Sequence, residues 1–75
     1  MYIITEYQTT KGVTAVTPAI TKTDPAEAES AFLLASAAAC ISTVEVHTVL
    51  CMDEHGNNFF GSPKYYEHIK PNEGR

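Results

Sequence analysis

Three histidines and two cysteines are the residues of this chain best suited to catalysis or metal binding: His47, His55, His68, Cys40 and Cys51. Their spacing forms neither the H-x3-H nor the C-x2-C pair from which short metal-binding motifs are built. His47 and Cys51 are four residues apart in a segment that reads as strand, so they share a face but lie about 13 Å apart along it. A catalytic Cys–His pair needs hydrogen-bond contact. The sequence therefore predicts no catalytic residue, no metal site and no bound cofactor.

The carboxylates also favour structural roles. Glu27 and Glu29 fall in the first turn of a predicted helix, where negative charge stabilises the helix dipole. Glu6 and Glu45 are expected to face each other on two central strands. A carboxylate pair supports acid–base catalysis only inside a pocket, and a chain this short implies none. His55 lies in a hydrophilic loop, which also favours a solvated position. Because no candidate catalytic residue remains, the chain is not expected to be an enzyme.

Charge and composition narrow the classes of partner. The net charge is −4, and no two of the five basic residues are adjacent, whereas binding to nucleic acid needs clustered Lys and Arg. We expect no nucleic-acid partner. No apolar run approaches the roughly 20 residues of a membrane span, and no signal-peptide pattern is visible at the N-terminus. Two cysteines without such a signal favour a reducing, cytoplasmic location.

The order of predicted elements is strand, strand, helix, strand, strand, at residues 2–9, 13–21, 24–41, 44–52 and 58–67. This pattern predicts an α+β fold (ββαββ), with a four-stranded antiparallel sheet and one Ala-rich helix packed on one face. Pro18 and Pro63 cannot donate ladder hydrogen bonds and favour edge strands, which predicts the order 2-1-3-4. Alternatively, the last strand breaks at Gly61-Ser62-Pro63 and only its second half pairs. We expect a single domain over residues 1–69 and a flexible tail over residues 70–75.

The helix begins with a clear signal. Asp24 is a good N-cap, Pro25 suits the first helical position, and Glu27 completes a capping-box-like pair. A stripe of mostly small residues is expected to face the sheet: Ala28, Ala31, Phe32, Ala35, Ala38 and Ala39. Leu34 and Ile41 flank this stripe on its other edge, from which they could still reach the core. Glu29 and Ser36 mark the solvent side, and the apolar residues Leu33, Ala37 and Cys40 lie on or near it.

The sheet carries more apolar residues than one helix can cover. On the third predicted strand, Val46, Thr48, Leu50 and Met52 point to one side, and His47, Val49 and Cys51 to the other. The sequence does not decide which side the helix covers. A large exposed apolar patch on a small protein usually marks an interface. We therefore predict a homodimer, or docking on a larger assembly. The residues proposed for this interface are Leu33, Ala37, Cys40, His47, Val49 and Cys51.

Two function classes remain open. The first is a non-enzymatic, oligomeric protein-interaction or structural protein. The alternative is a small-ligand or metal-binding module formed at a dimer interface by His47, Cys51 and tyrosines.

A set of features recurs along most of the chain: Asp24, Ala28-Glu29, Phe32, the run Ala37-Ala38-Ala39, Ser42 and Val46-His47-Thr48, together with Gln8-Thr9 and the segment from Ser62 to Tyr65. In these features the chain resembles a family of small proteins encoded by phages and prophages of Gram-positive gut bacteria. The Gly61-Ser62-Pro63 break departs from this pattern. The resemblance implies a phage-associated protein without an assigned activity, located in the host cytoplasm or in the virion, with a phage or host protein as its partner. It also makes His47 a better candidate for a specific role.

Overall fold

A computed structural model describes residues 1–68 of the chain. These residues form one helix and five strands, which are β1 (Tyr2–Thr10), β2 (Val13–Val16), β3 (Ile20–Lys22), α1 (Pro25–Cys40), β4 (Val46–Asp53) and β5 (Lys64–Glu67). The strands form one antiparallel sheet, and α1 packs against it. The predicted α+β class with a single helix is therefore confirmed for this part of the chain. The expected tail at residues 70–75 lies outside the described residues.

The prediction of four strands in the order 2-1-3-4 is confirmed only in part, because the sheet has five strands. The order is β2-β1-β4-β5, and β3 also pairs with β1. The second predicted strand is divided at Pro18, which has no N–H for the ladder. Thr17 still holds this break against β1, since its N–H donates to the Glu6 carbonyl at 2.9 Å. The interrupted segment thus follows the same edge of β1 as two short strands.

The β1–β2 hairpin turns at Lys11 and Gly12, whose φ angles are +52° and +80°. Two successive positive φ values are typical of a type I′ turn, and glycine adopts this conformation at little cost. Thr10 and Val13 are the last paired residues on either side of the turn. The turn therefore falls in the gap between the first two predicted strands, residues 2–9 and 13–21.

The last predicted strand, residues 58–67, is shorter than expected. Only β5 pairs with β4 as a strand, and Asn58 makes one isolated bridge to Met52. Between them the chain turns through Phe60 and Gly61, with φ angles of +59° and +82°. The alternative, in which the strand breaks at Gly61-Ser62-Pro63 and only its second half pairs, is the one observed.

Helix α1 begins as the sequence predicts. The Asp24 side chain accepts a hydrogen bond from the Glu27 N–H at 3.0 Å, and Pro25 occupies the first turn. This bond satisfies one of the N–H groups that a helix start leaves unpaired. The cap therefore fixes where the helix begins and how it approaches the sheet.

The core lies between α1 and the two central strands, β1 and β4. Phe32 is fully buried at its centre, among Ile4, Val49 and Cys51. On the helix, the buried residues are Ala28, Phe32, Ser36 and Ala39, and Ala31 and Ala35 are half-buried. Small alanines let the helix approach the sheet closely, so a single aromatic ring fills much of the interior.

Three expectations about the helix faces need correction. Ser36 is buried although it was expected at the solvent side, because the buried stripe runs through Ala28 and Phe32 in steps of four residues. Leu34 and Ile41 do not reach the core: they are 69% and 85% exposed. Ala38 is exposed as well. The buried stripe is thus narrower and rotated toward Ser36.

Candidate interaction surface

One face of the sheet is turned away from α1 and is covered by nothing among residues 1–68. On β4, burial alternates: His47, Val49 and Cys51 are buried, while the residues between them are partly exposed. The helix therefore covers the His47 side. The opposite side, here called the open face, consists of Ile3, Thr5, Tyr7, Thr9, Thr14, Val16, Thr21, Val46, Thr48, Leu50, Met52, Tyr65 and Glu67.

Cross-strand pairing organises the open face into rows. A central row crosses four strands, from Val16 through Tyr7 and Thr48 to Tyr65. Val16 and Tyr65 are each 60% exposed, and Tyr7 is 42% exposed. Leu50 lies beside this row and pairs with Thr5. The centre of the open face thus combines aromatic and aliphatic groups, which are typical of the buried part of a protein interface.

Most charged residues of the sheet lie on its helix side. Lys22 and Asp53 flank Tyr2 on the helix side, and Glu6 and Lys64 flank Val49 there. Among the open-face residues that the structure describes, Glu67 alone carries a charge. The open face is therefore an almost neutral surface on a chain whose net charge is −4.

Several hydroxyl groups at the open face already have partners within the chain. The Thr5 hydroxyl donates to the Thr17 carbonyl at 3.0 Å. The hydroxyls of Thr9 and Thr14 are 2.9 Å apart, and the Tyr65 hydroxyl donates to the Glu67 carboxylate at 3.2 Å. A polar group that keeps its hydrogen bond is much less costly to remove from water. This surface can therefore be buried against apolar groups without stranding those hydroxyls.

The outer side of α1 is a second exposed apolar region. Leu33 is 53% exposed, and Leu34 and Ile41 are exposed further still. A shallow, open depression beside Leu33 and Leu34 is also lined by Ala26, Glu29 and Ser30. Its acidic rim distinguishes it from the neutral open face.

The six residues expected at an interface do not form one surface. Leu33, Ala37 and Cys40 are exposed on α1, in agreement with their expected orientation. His47, Val49 and Cys51 lie beneath the helix and are 2%, 0% and 0% exposed. The interface expectation for these last three residues is corrected, because a partner cannot reach them while α1 is packed on the sheet. The partly exposed residues of β4 are their neighbours, among them Thr48 and Leu50.

A buried polar cluster lies beneath the second half of α1. His47 donates through Nδ1 to the Glu6 carboxylate, and the two side chains are only 3% and 12% exposed. His68 packs edge-on against the His47 ring, with the ring centroids 5.9 Å apart. The His68 Nε2–H donates to the Ala39 carbonyl of the helix at 2.7 Å. The cluster thus ties β1, β4, the end of β5 and the helix together.

Two atoms of this region have no hydrogen-bond partner among the described residues: His47 Nε2 and Ser36 Oγ. A carboxylate that fixes one nitrogen of an imidazole is also how enzymes orient a histidine base. Catalysis would need a substrate at the other nitrogen, and here that nitrogen is sealed beneath the helix. The geometry therefore supports a structural role for the Glu6–His47 pair.

The expected pairing of Glu6 with Glu45 is wrong. Glu6 faces the helix side of the sheet, whereas the Glu45 carboxylate accepts a hydrogen bond from the Lys11 N–H at 3.1 Å. Sequence reasoning missed the Glu6–His47 contact. The available signal was strand periodicity, since Ile4 and Glu6 share a face and Ile4 is buried.

The remaining reactive groups stay apart. Cys40 is exposed and Cys51 buried, and both are free thiols; burial raises the pKa of Cys51. His55 lies in the loop after β4, where the Asp53 carboxylate accepts hydrogen bonds from the Asn57 side chain, the Asn57 N–H and the His55 N–H. These bonds, chiefly those from Asn57, lower the pKa of Asp53. Within residues 1–68 no group of three or more His, Cys, Asp or Glu side chains is placed to hold a metal ion.

No protein-family model matches this chain, and neither a curated protein nor a solved structure matches it. In the described part of the chain, no helix combines the length and apolar character needed to cross a membrane. The fold and the exposed surfaces are therefore the observations on which a function must be argued.

Proposed function

We propose that this chain is a non-enzymatic interaction protein that binds another protein through the open face. The observation that carries this proposal is a neutral, apolar and threonine-rich sheet face that α1 leaves uncovered. A small domain gains little by exposing Tyr7, Val16 and Tyr65 together unless a partner buries them. The resemblance to phage- and prophage-encoded proteins adds the proposed context, which is the cytoplasm of the host cell or the virion.

The alternative of a ligand or metal site at a dimer interface has less support. It needs His47 and Cys51 at an accessible surface, and both are buried beneath α1. Nucleic acid is also a poor fit for the open face, since none of its described residues is Lys or Arg.

Affinity capture with matched variants tests the proposal. Tagged wild-type protein is expressed in a Gram-positive host together with an untagged copy, and every retained protein is quantified, the untagged copy included. Leu50→Lys places a charge at the centre of the open face. Leu34→Lys makes the same change on the outer side of α1, where the side chain is 69% exposed.

We expect Leu50→Lys to lose a protein that both the wild type and Leu34→Lys retain. Circular dichroism establishes that each variant is folded. Retention that is the same for all three proteins would contradict the proposal, as would retention that only Leu34→Lys abolishes.

A further inference from the structure

We propose that the partner on the open face is a second copy of this chain, packed face to face so that two sheets enclose a shared core. This inference rests on the proposed function, because it names the occupant of the same surface. The outer side of α1 would remain exposed in such a dimer.

Charge is the first argument for a second copy. In a two-fold interface the same patch meets itself, so any concentration of one charge would oppose its own copy. The open face avoids this, since Glu67 at the β5 edge is its only charged residue within the described part of the chain. Lys22, Asp53 and Lys64 lie on the helix side. A chain of net charge −4 can therefore approach its own copy here without direct repulsion.

The satisfied hydroxyls are the second argument. Thr5, Thr9 and Thr14 keep their hydrogen bonds inside the chain. An apolar partner can thus cover these residues without supplying polar groups. The open face of another copy is apolar in this sense, because it also carries the side chains of Val46, Leu50 and Met52. A strongly charged partner would gain no complementary contacts on this surface.

The area is sufficient for a dimer. The eight residues of β4 extend about 27 Å, and four strands are about 19 Å wide, which gives about 500 Å² per copy. Two copies would bury about 1,000 Å² in total, the lower size limit of a specific interface. Sheets that pack face to face align at about −30° with their side chains interdigitated. The row that contains Tyr7 and Thr48 would then lie near the centre of the contact.

Sedimentation equilibrium of purified protein tests this inference. We expect the wild-type mass to rise with concentration from 8.2 kDa toward twice that value. Leu50→Lys introduces two like charges into the dimer and should raise its dissociation constant by about a hundredfold. Leu34→Lys should leave the dissociation constant unchanged. Near-ultraviolet circular dichroism checks that both variants are folded.

A wild type that remains at 8.2 kDa up to millimolar concentration would overturn the second-copy inference, and this result needs no variant. Dimerisation abolished by Leu34→Lys but not by Leu50→Lys would overturn it as well. The proposed function and the second-copy inference can be told apart. A monomer that still retains another protein through the open face would contradict the second-copy inference but not the proposed function.

Discussion

The buried contact between Glu6 and His47 gives a stability prediction that can be worked out from the structure. Replacing Glu6 with Gln keeps the shape of the side chain but exchanges the charged carboxylate that accepts from His47 Nδ1 for a neutral amide, whose oxygen is a weaker acceptor and whose NH2 group cannot accept. The Glu6 side chain is 12% exposed and that of His47 is 3% exposed, so water replaces little of the lost interaction. A buried hydrogen bond to a charged group contributes about 1.5–3 kcal/mol.

This cost is large for so small a domain. Stabilities of about 0.05–0.15 kcal/mol per residue correspond to about 4–11 kcal/mol for a chain of this length. A loss of about 2 kcal/mol should lower the midpoint of thermal unfolding by about 8–16 °C. We therefore expect Glu6→Gln to fold but to unfold at a clearly lower temperature and urea concentration.

The matched control is Glu54→Gln. Glu54 accepts from the N-terminal amino group of Met1 at 3.2 Å, but both side chains are 47% exposed. An exposed ion pair contributes about 0–1 kcal/mol. Urea denaturation at neutral pH measures both variants. If Glu6→Gln cost no more than Glu54→Gln, the buried pair would not stabilise the fold and our reasoning would be refuted.

A double-mutant cycle separates this pair from its surroundings. Glu6→Gln and His47→Gln, alone and combined, should give a coupling energy of at least about 1 kcal/mol, because the two side chains are in direct contact. Additive effects would indicate that each residue acts through other neighbours.

Three further predictions concern the core and the loop after β4. Phe32→Ala should cost about 3–5 kcal/mol, because it empties the centre of a fully buried core; a folded variant with unchanged urea midpoint would contradict the core assignment. Ser36→Ala should be neutral or stabilising by about 1 kcal/mol, since the Ser36 hydroxyl is buried without a partner among residues 1–68, and a clear loss of stability would show that this hydroxyl is bonded. Asn57→Ala should raise the pKa of Asp53, which Asn57 holds below its ordinary value. Because the pKa of Asp53 is lowered in the folded state, its carboxylate stabilises the fold above the ordinary Asp pKa. This contribution is lost as the pH falls through the lowered pKa. Carboxyl NMR titration of Asp53 measures the shift, and an unchanged pKa would rule out the hydrogen bond from the Asn57 side chain.

The start of the helix could be predicted because its signals are local. Asp24, Pro25 and Glu27 act within one turn, and the cap forms as expected. The turn at Lys11 and Gly12 is equally local. In contrast, the division of the second strand around Pro18 depends on its register against β1, which the sequence leaves open.

The candidate site was harder to predict because it depends on which sheet face the helix covers. His47 and Leu50 lie on opposite sides of β4, and both sides are apolar enough to be core. The choice follows from the packing of Phe32 on Val49 and Cys51. Ser36 and Glu6 were misplaced for the same reason: polarity suggested a solvent-facing serine and a carboxylate paired with Glu45, whereas three-dimensional packing buries both side chains under the helix.

The central claim is that the open face buries itself against a second copy, and an NMR dilution series tests it most directly. Methyl resonances of wild-type protein are followed from millimolar to micromolar concentration. We expect the methyl signals of Ile3, Val46, Leu50 and Met52 to change together along one dimerisation curve, while those of Leu33 and Leu34 stay constant. Concentration-dependent changes confined to Leu33 and Leu34, or no change in any of these signals, would contradict it.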